Sequence, residues 1–101
     1  MAALKEVGKF DIKPIANPLE IIVKIHGVTY TRERDGHHDA GVLISDCEEV
    51  FGISVKSFAG GEKYAAFSPL IALLIESVKE LNGTVKAQQA KIVALEKKVK
   101  K

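Results

Sequence analysis

Three groups of side chains in this sequence have types and spacings from which chemistry can be built. His37, His38 and Asp39 stand together just after Asp35-Gly36, and imidazole and carboxylate are metal ligands. A structural metal site takes about four ligands. Completing one would recruit Cys47 and His26 from elsewhere at no recognisable ligand spacing, so neither a metal nor a cofactor is expected, and the cluster reads as a solvated loop. Asp46, Glu48 and Glu49 are carboxylates of the kind that serve as acid and base. Yet Ser45-Asp46-Cys47-Glu48 has the S-x-x-E spacing of a capping box, which predicts helix capping and dipole stabilisation instead. Gly60-Gly61 precedes a strand-like run and not a helix, so it is no phosphate-cradling loop. Cys47, the only cysteine, allows neither an internal disulfide nor a multi-cysteine metal site; it points to a reducing or indifferent compartment and reads as a small packed apolar residue. From spacing alone, no active site emerges.

The elements that would position these groups fall into two unlike parts. Residues 1–11 mix charge, Gly8 and small side chains and read as an extended arm. Asn17-Pro18 places a capping residue before a first-turn proline, and Leu19, Ile22, Val23 and Ile25 follow at helical spacing up to Gly27. Val28–Arg32 alternates as a strand before the Asp35-Gly36 turn, and residues 40–44 form a short apolar run that reads as a buried strand. A two-turn helix follows through Val50 and Phe51, closed by Gly52. Ile53–Lys56 and Tyr64–Phe67 then read as a hairpin around Ala59-Gly60-Gly61-Glu62. Residues 12–67 thus predict a small α+β unit.

From Ser68, as N-cap, and Pro69, as first helical residue, residues 68–101 predict one long helix. Heptad position a falls on Ile71, Val78, Val85, Ile92 and Val99, and position d on Leu74, Leu81, Gln88 and Leu95, so eight of nine seam positions are apolar. A strict 3.5-residue period held over four heptads is the mark of a supercoiled assembly, because a lone surface helix drifts off it. Asn82-Gly83 weakens the middle of this helix, where a kink or a stop is expected, and Gln88 puts an amide into the seam, a device that fixes register or oligomer state. Lys91 at g can reach Glu96 at e of a neighbouring parallel helix. β-branched a residues with Leu at d favour a parallel dimer.

Bulk composition narrows the classes further. The 101 residues allow one domain, and 15 Lys and Arg against 13 Asp and Glu give too weak a field to argue for nucleic acid or an anionic membrane as partner. Six aromatic residues make a thin core for a lone chain. The basic end, Lys97-Lys98-Val99-Lys100-Lys101, reads as a solvated helix terminus. No signal peptide is recognisable, the longest apolar stretches fall far short of the ~20 residues of a membrane span, and the chain reads as soluble.

The order of these pieces resembles that of a known family. Ile12-Lys13-Pro14-Ile15, Gly27-Val28-Thr29-Tyr30, the run Ala40-Gly41-Val42-Leu43-Ile44-Ser45-Asp46-Cys47-Glu48-Glu49-Val50 and, most specifically, Ser68-Pro69-Leu70-Ile71-Ala72-Leu73-Leu74-Ile75-Glu76 running on to Leu81 carry the likeness. Over residues 9–95 the chain resembles the C-terminal intramolecular chaperone domain of phage tailspikes, tail fibres and endosialidases. The resemblance implies an α+β unit with a long helix in a parallel trimeric coiled coil, a homotrimer that brings the upstream fibre shaft of the same polypeptide into register, and a virion precursor assembled in the host cytoplasm. It also implies a self-cleavage border at residues 1–11, where the family carries S-D-x-x-x-K with Ser as nucleophile and Lys as activating base. In the matching frame Lys9 stands on the base and Leu4 on the nucleophile, and no Ser precedes Ser45. Leu4 has no hydroxyl with which to attack a carbonyl, so no self-cleaving activity is expected of the chain as it stands. Two readings of other classes remain beside the chaperone: a dimeric coiled-coil interaction module, and a self-cleaving serine peptidase domain that has lost its nucleophile.

Overall fold

Asp35 and Gly36 shape the first structural corner. In the computed structural model, which describes residues 8–100, strand β1 (Gly27–Thr31) turns back through a six-residue loop into β2 (His38–Val42). The Asp35 carboxylate accepts the His37 backbone N–H at 3.0 Å, the Arg32 N–H donates to the His37 carbonyl at 2.8 Å, and Gly36 takes the left-handed φ of 73° that closes the turn. The strands pair antiparallel from Thr31 opposite His38 to Gly27 opposite Val42. A second hairpin joins β3 (Val55–Ser57) to β4 (Lys63–Ala65) around Gly61 at φ 91°, with the Phe58 and Tyr64 rings stacked 4.4 Å apart. Around these lie α1 (Pro18–Ile22), α2 (Ile44–Val50), a short 3-10 turn (Gly52–Ser54) and α3 (Phe67–Val99). The fold is α+β, two small antiparallel sheets with helices and one long C-terminal helix.

The core is small, and its buried residues come from α2, the residues just after it and the first turns of α3. Cys47 and Leu73 are fully buried and Phe51 nearly so. Ser54 and Ser77 are buried beside them; each hydroxyl donates to a carbonyl at 2.7 Å, to Phe51 and Leu73 respectively, so neither is left unsatisfied. α1 and the 3-10 turn pack on the same end of α3. Among the described residues, Cys47, Phe51, Leu73 and Pro18 are the buried apolar side chains, in keeping with the thin aromatic content of the sequence.

Local details differ from the sequence expectations for physical reasons. Asn17 sits in the left-handed region, φ 51°, and makes no side-chain cap; α1 ends at Ile22, well before Gly27, which opens β1 instead. The S-x-x-E spacing forms no capping box, because α2 begins at Ile44 and Ser45 is already inside it. Ile53 and Ser54 belong to the 3-10 turn, not to a strand. α3 starts at Phe67, the last residue of the expected hairpin strand, which puts Pro69 at the third helical position, where its missing N–H still costs nothing. His38 and Asp39 lie in β2 and only His37 in the loop, and β2 is at most half-buried.

α3 runs unbroken for 33 residues, about 50 Å, straight through Asn82-Gly83. The expected kink is absent. Nothing lies within 4 Å of where a Gly83 side chain would project. Gly83→Ala should therefore raise the thermal unfolding midpoint, by the ~1 kcal/mol that separates the two residues in a helix interior.

Candidate oligomerisation surface

Leu73 and Ser77, one turn apart, mark the face of α3 that meets the rest of the fold. At 100° per residue the a and d positions lie about 100° around the helix from that face. Geometry thus turns the seam away from the globular unit. Ile71, Leu74, Val78, Leu81, Val85, Ile92, Leu95 and Val99 are each at least half exposed, from 50% at Leu81 and Ile92 to 83% at Val99, and Gln88 lies exposed in line with them.

Beyond Ser77 the helix leaves the fold altogether. Every residue from Val78 to Lys100 is exposed, a projection of about 35 Å. Helices in water draw most of their stability from packing an apolar face, and this stretch holds Asn82, Gly83, Thr84 and Val85, all poor helix formers, in succession. The Lys79–Glu76 pair at 3.2 Å and the Thr84 hydroxyl on the Glu80 carbonyl at 3.2 Å are exposed and add little. An apolar stripe of this length is far larger than a soluble lone helix needs to show.

Two shallow apolar grooves flank the root of the seam. The first, about 350 Å³, opens on the g side, where Ile22, Ile25, Val42 and Phe67 meet Leu70 and the seam residues Ile71 and Leu74. The second, about 240 Å³, opens on the e side, where Pro14 and Ile15 approach Ile75. Residues 40–44, including Val42, were expected to form a buried strand, and Ile22 and Ile25 to follow at helical spacing. They line a groove instead because α1 and β2 are too short to close over the first turns of α3.

The groups singled out for chemistry are dispersed. His37 faces Arg32, whose guanidinium donates to its Nδ1 at 3.3 Å and pairs with Asp35 at 3.2 Å, while His38 meets Thr31 across the hairpin at 2.9 Å. Glu48 pairs with Lys63 of β4. His26 and Asp46 do meet: the Asp46 carboxylate takes both the backbone N–H and the ring Nδ1 of His26 at 2.9 Å, tying the approach to β1 onto α2. Sequence reasoning missed this contact, because Asp46 looked like a capping residue. Cys47, its neighbour, points into the core. Among the described residues no three His, Cys, Asp or Glu side chains gather closely enough to hold a metal, and no helix is long and apolar enough to cross a membrane. Lys9 is exposed on the arm, and Leu4, its counterpart in the family's cleavage motif, lies outside the described residues.

The His26 backbone N–H, more than its ring, holds the Asp46 carboxyl below the usual carboxylate range. A folded-state pKa below the unfolded one adds stability that is complete above the ordinary carboxylate range and is lost as pH falls through the lower, folded value. Urea unfolding followed from neutral into acid should therefore show a drop in stability at acid pH that is smaller in Asp46→Asn.

No protein-family model, no curated protein and no solved structure matches this chain.

Proposed function

We propose that this chain is an assembly domain, an intramolecular chaperone whose parallel trimeric coiled coil aligns three copies of a viral tail fibre or tailspike so that an upstream β-structured shaft can fold. The observation that carries the reading is the seam from Ile71 to Val99, apolar at eight of nine positions and exposed along a helix that leaves its own fold. The motif order that resembles the chaperone domain of tailspikes and endosialidases supports the same reading and supplies its setting, a virion precursor in the host cytoplasm. The physical task is entropic. Shaft strands from three chains cannot pair in register until the chains are held together, and a coiled coil supplies both a high effective concentration and a fixed alignment.

The globular unit has a place in this scheme. Its core grips the first turns of α3 at Leu73 and Ser77, so chain alignment set along the seam passes rigidly into the residues nearest the shaft. With Leu4 in place of a nucleophile, the domain aligns without cleaving.

A specific observation favours a second reading. β-branched residues at every a position and Leu at every apolar d position suit a parallel dimer, the seam of an interaction module. Sedimentation equilibrium at micromolar concentration separates the two: three chain masses support the chaperone, two the dimeric module, and one removes both.

A further inference from the structure

We infer that the apolar groove on the g side of α3 seats Ile75 of a second copy of the chain, so that the globular units interlock as well as the helices. The inference rests on the parallel, in-register assembly proposed above and adds to it a contact outside the a and d seam. In a parallel coiled coil, position g of one helix faces position e of its neighbour five residues further on. That register joins Lys91 to Glu96 of the next copy, an ion pair near the tip. The same register brings Leu70 to Ile75 of the next copy at the root. Between them the equivalent pairs, Ser77 with Asn82 and Thr84 with Gln89, are polar.

The two flanks of the root are shaped for this encounter. Leu70 lines the groove of about 350 Å³ together with Ile22, Ile25 and Val42, and the groove is continuous with the seam through Ile71 and Leu74. Ile75 stands 54% exposed on the opposite flank, backed by Pro14 and Ile15. Each copy therefore carries one groove and one knob on opposite sides of the same helix, the arrangement of a head-to-tail contact that closes into a ring about the coiled-coil axis. The e and g positions, charged at the tip, are apolar at the root, where Leu70 lies beside α1 and β2 and Ile75 beside Pro14 and Ile15. An added apolar layer at the root accounts for the otherwise unexplained exposure of groove and knob together.

The test is a cross-link between copies. Leu70→Cys protein and Ile75→Cys protein are unfolded, mixed in equal amounts, refolded together and treated with a short bis-maleimide; Cys47 is buried and each variant alone serves as its control. Covalently joined chains are expected in the mixture and not in either variant alone. As a second readout, Leu70→Glu should lower the assembled fraction at least tenfold, and adding Ile75→Lys should restore most of it, because the new charges meet only if these positions face each other across copies. Wild-type protein that assembles while the mixture gives no cross-link and the double variant no rescue overturns the groove contact and leaves the assembly reading standing. Wild-type protein that sediments as a single chain overturns both.

Discussion

Replacing Leu81 by Asp should abolish assembly and leave the globular unit folded. Leu81 occupies a d position in the projecting part of α3, is half exposed in the single chain, and lies a full turn beyond Ser77, the last buried residue of that helix. A carboxylate there meets water in the monomer and disturbs no core contact. In a parallel assembly, one carboxylate from each chain would converge on the axis, out of water and without a cation. Leaving a buried charge unpaired costs about 3–5 kcal/mol for each group. Summed over the copies, that exceeds what a short coiled coil can supply. Sedimentation equilibrium should report the single-chain mass, with circular dichroism showing loss of helix from the projecting segment. A variant of unchanged mass would remove Leu81 from the seam.

Leu73→Ala should have the opposite signature, loss of fold at every protein concentration. Leu73 is fully buried on the end of α3 against which α1 and the 3-10 turn pack, one of the few apolar side chains buried among the described residues. Truncating a buried Leu to Ala costs about 2–5 kcal/mol, the transfer of the lost methyl groups plus the cavity they leave. Small domains hold only about 5–15 kcal/mol in total. The urea midpoint should fall sharply, and raising the protein concentration should recover only the part that assembly contributes. A midpoint equal to that of the wild type would mean that the buried face of α3 does not hold the fold together. Taken together, the two substitutions separate the faces of one helix: Leu73 and Ser77 hold the chain to itself, while the a and d seam is left for other copies.

That division was half legible in the sequence. A strict heptad repeat needs only spacing to be seen, because its period is a property of one helix, and the length of α3 follows from the absence of Pro after Pro69, though its unbroken run through Asn82-Gly83 did not. Strand β1 with its Asp35-Gly36 turn, the two-turn helix before Gly52 and the Gly60-Gly61 turn were readable for the same reason: their signals are local. Helix starts were not. Asn17, Ser45 and Ser68 all carry capping side chains, and none of them caps in the fold. At Asp46 a contact twenty residues away in the chain, with His26, took the carboxylate that local spacing had assigned to the helix.

The sequence by itself determined that the chain has one α+β unit and one long helix, and that the helix carries an apolar stripe of coiled-coil period. It could not say whether that stripe faced inward or outward, since the same Ile, Leu and Val residues would serve equally to cover a globular core. Only the tertiary structure decided this. The core closes on Leu73 and Ser77, α1 and β2 reach no further than the root of α3, and the stripe is left about 100° away with nothing of its own chain to cover it.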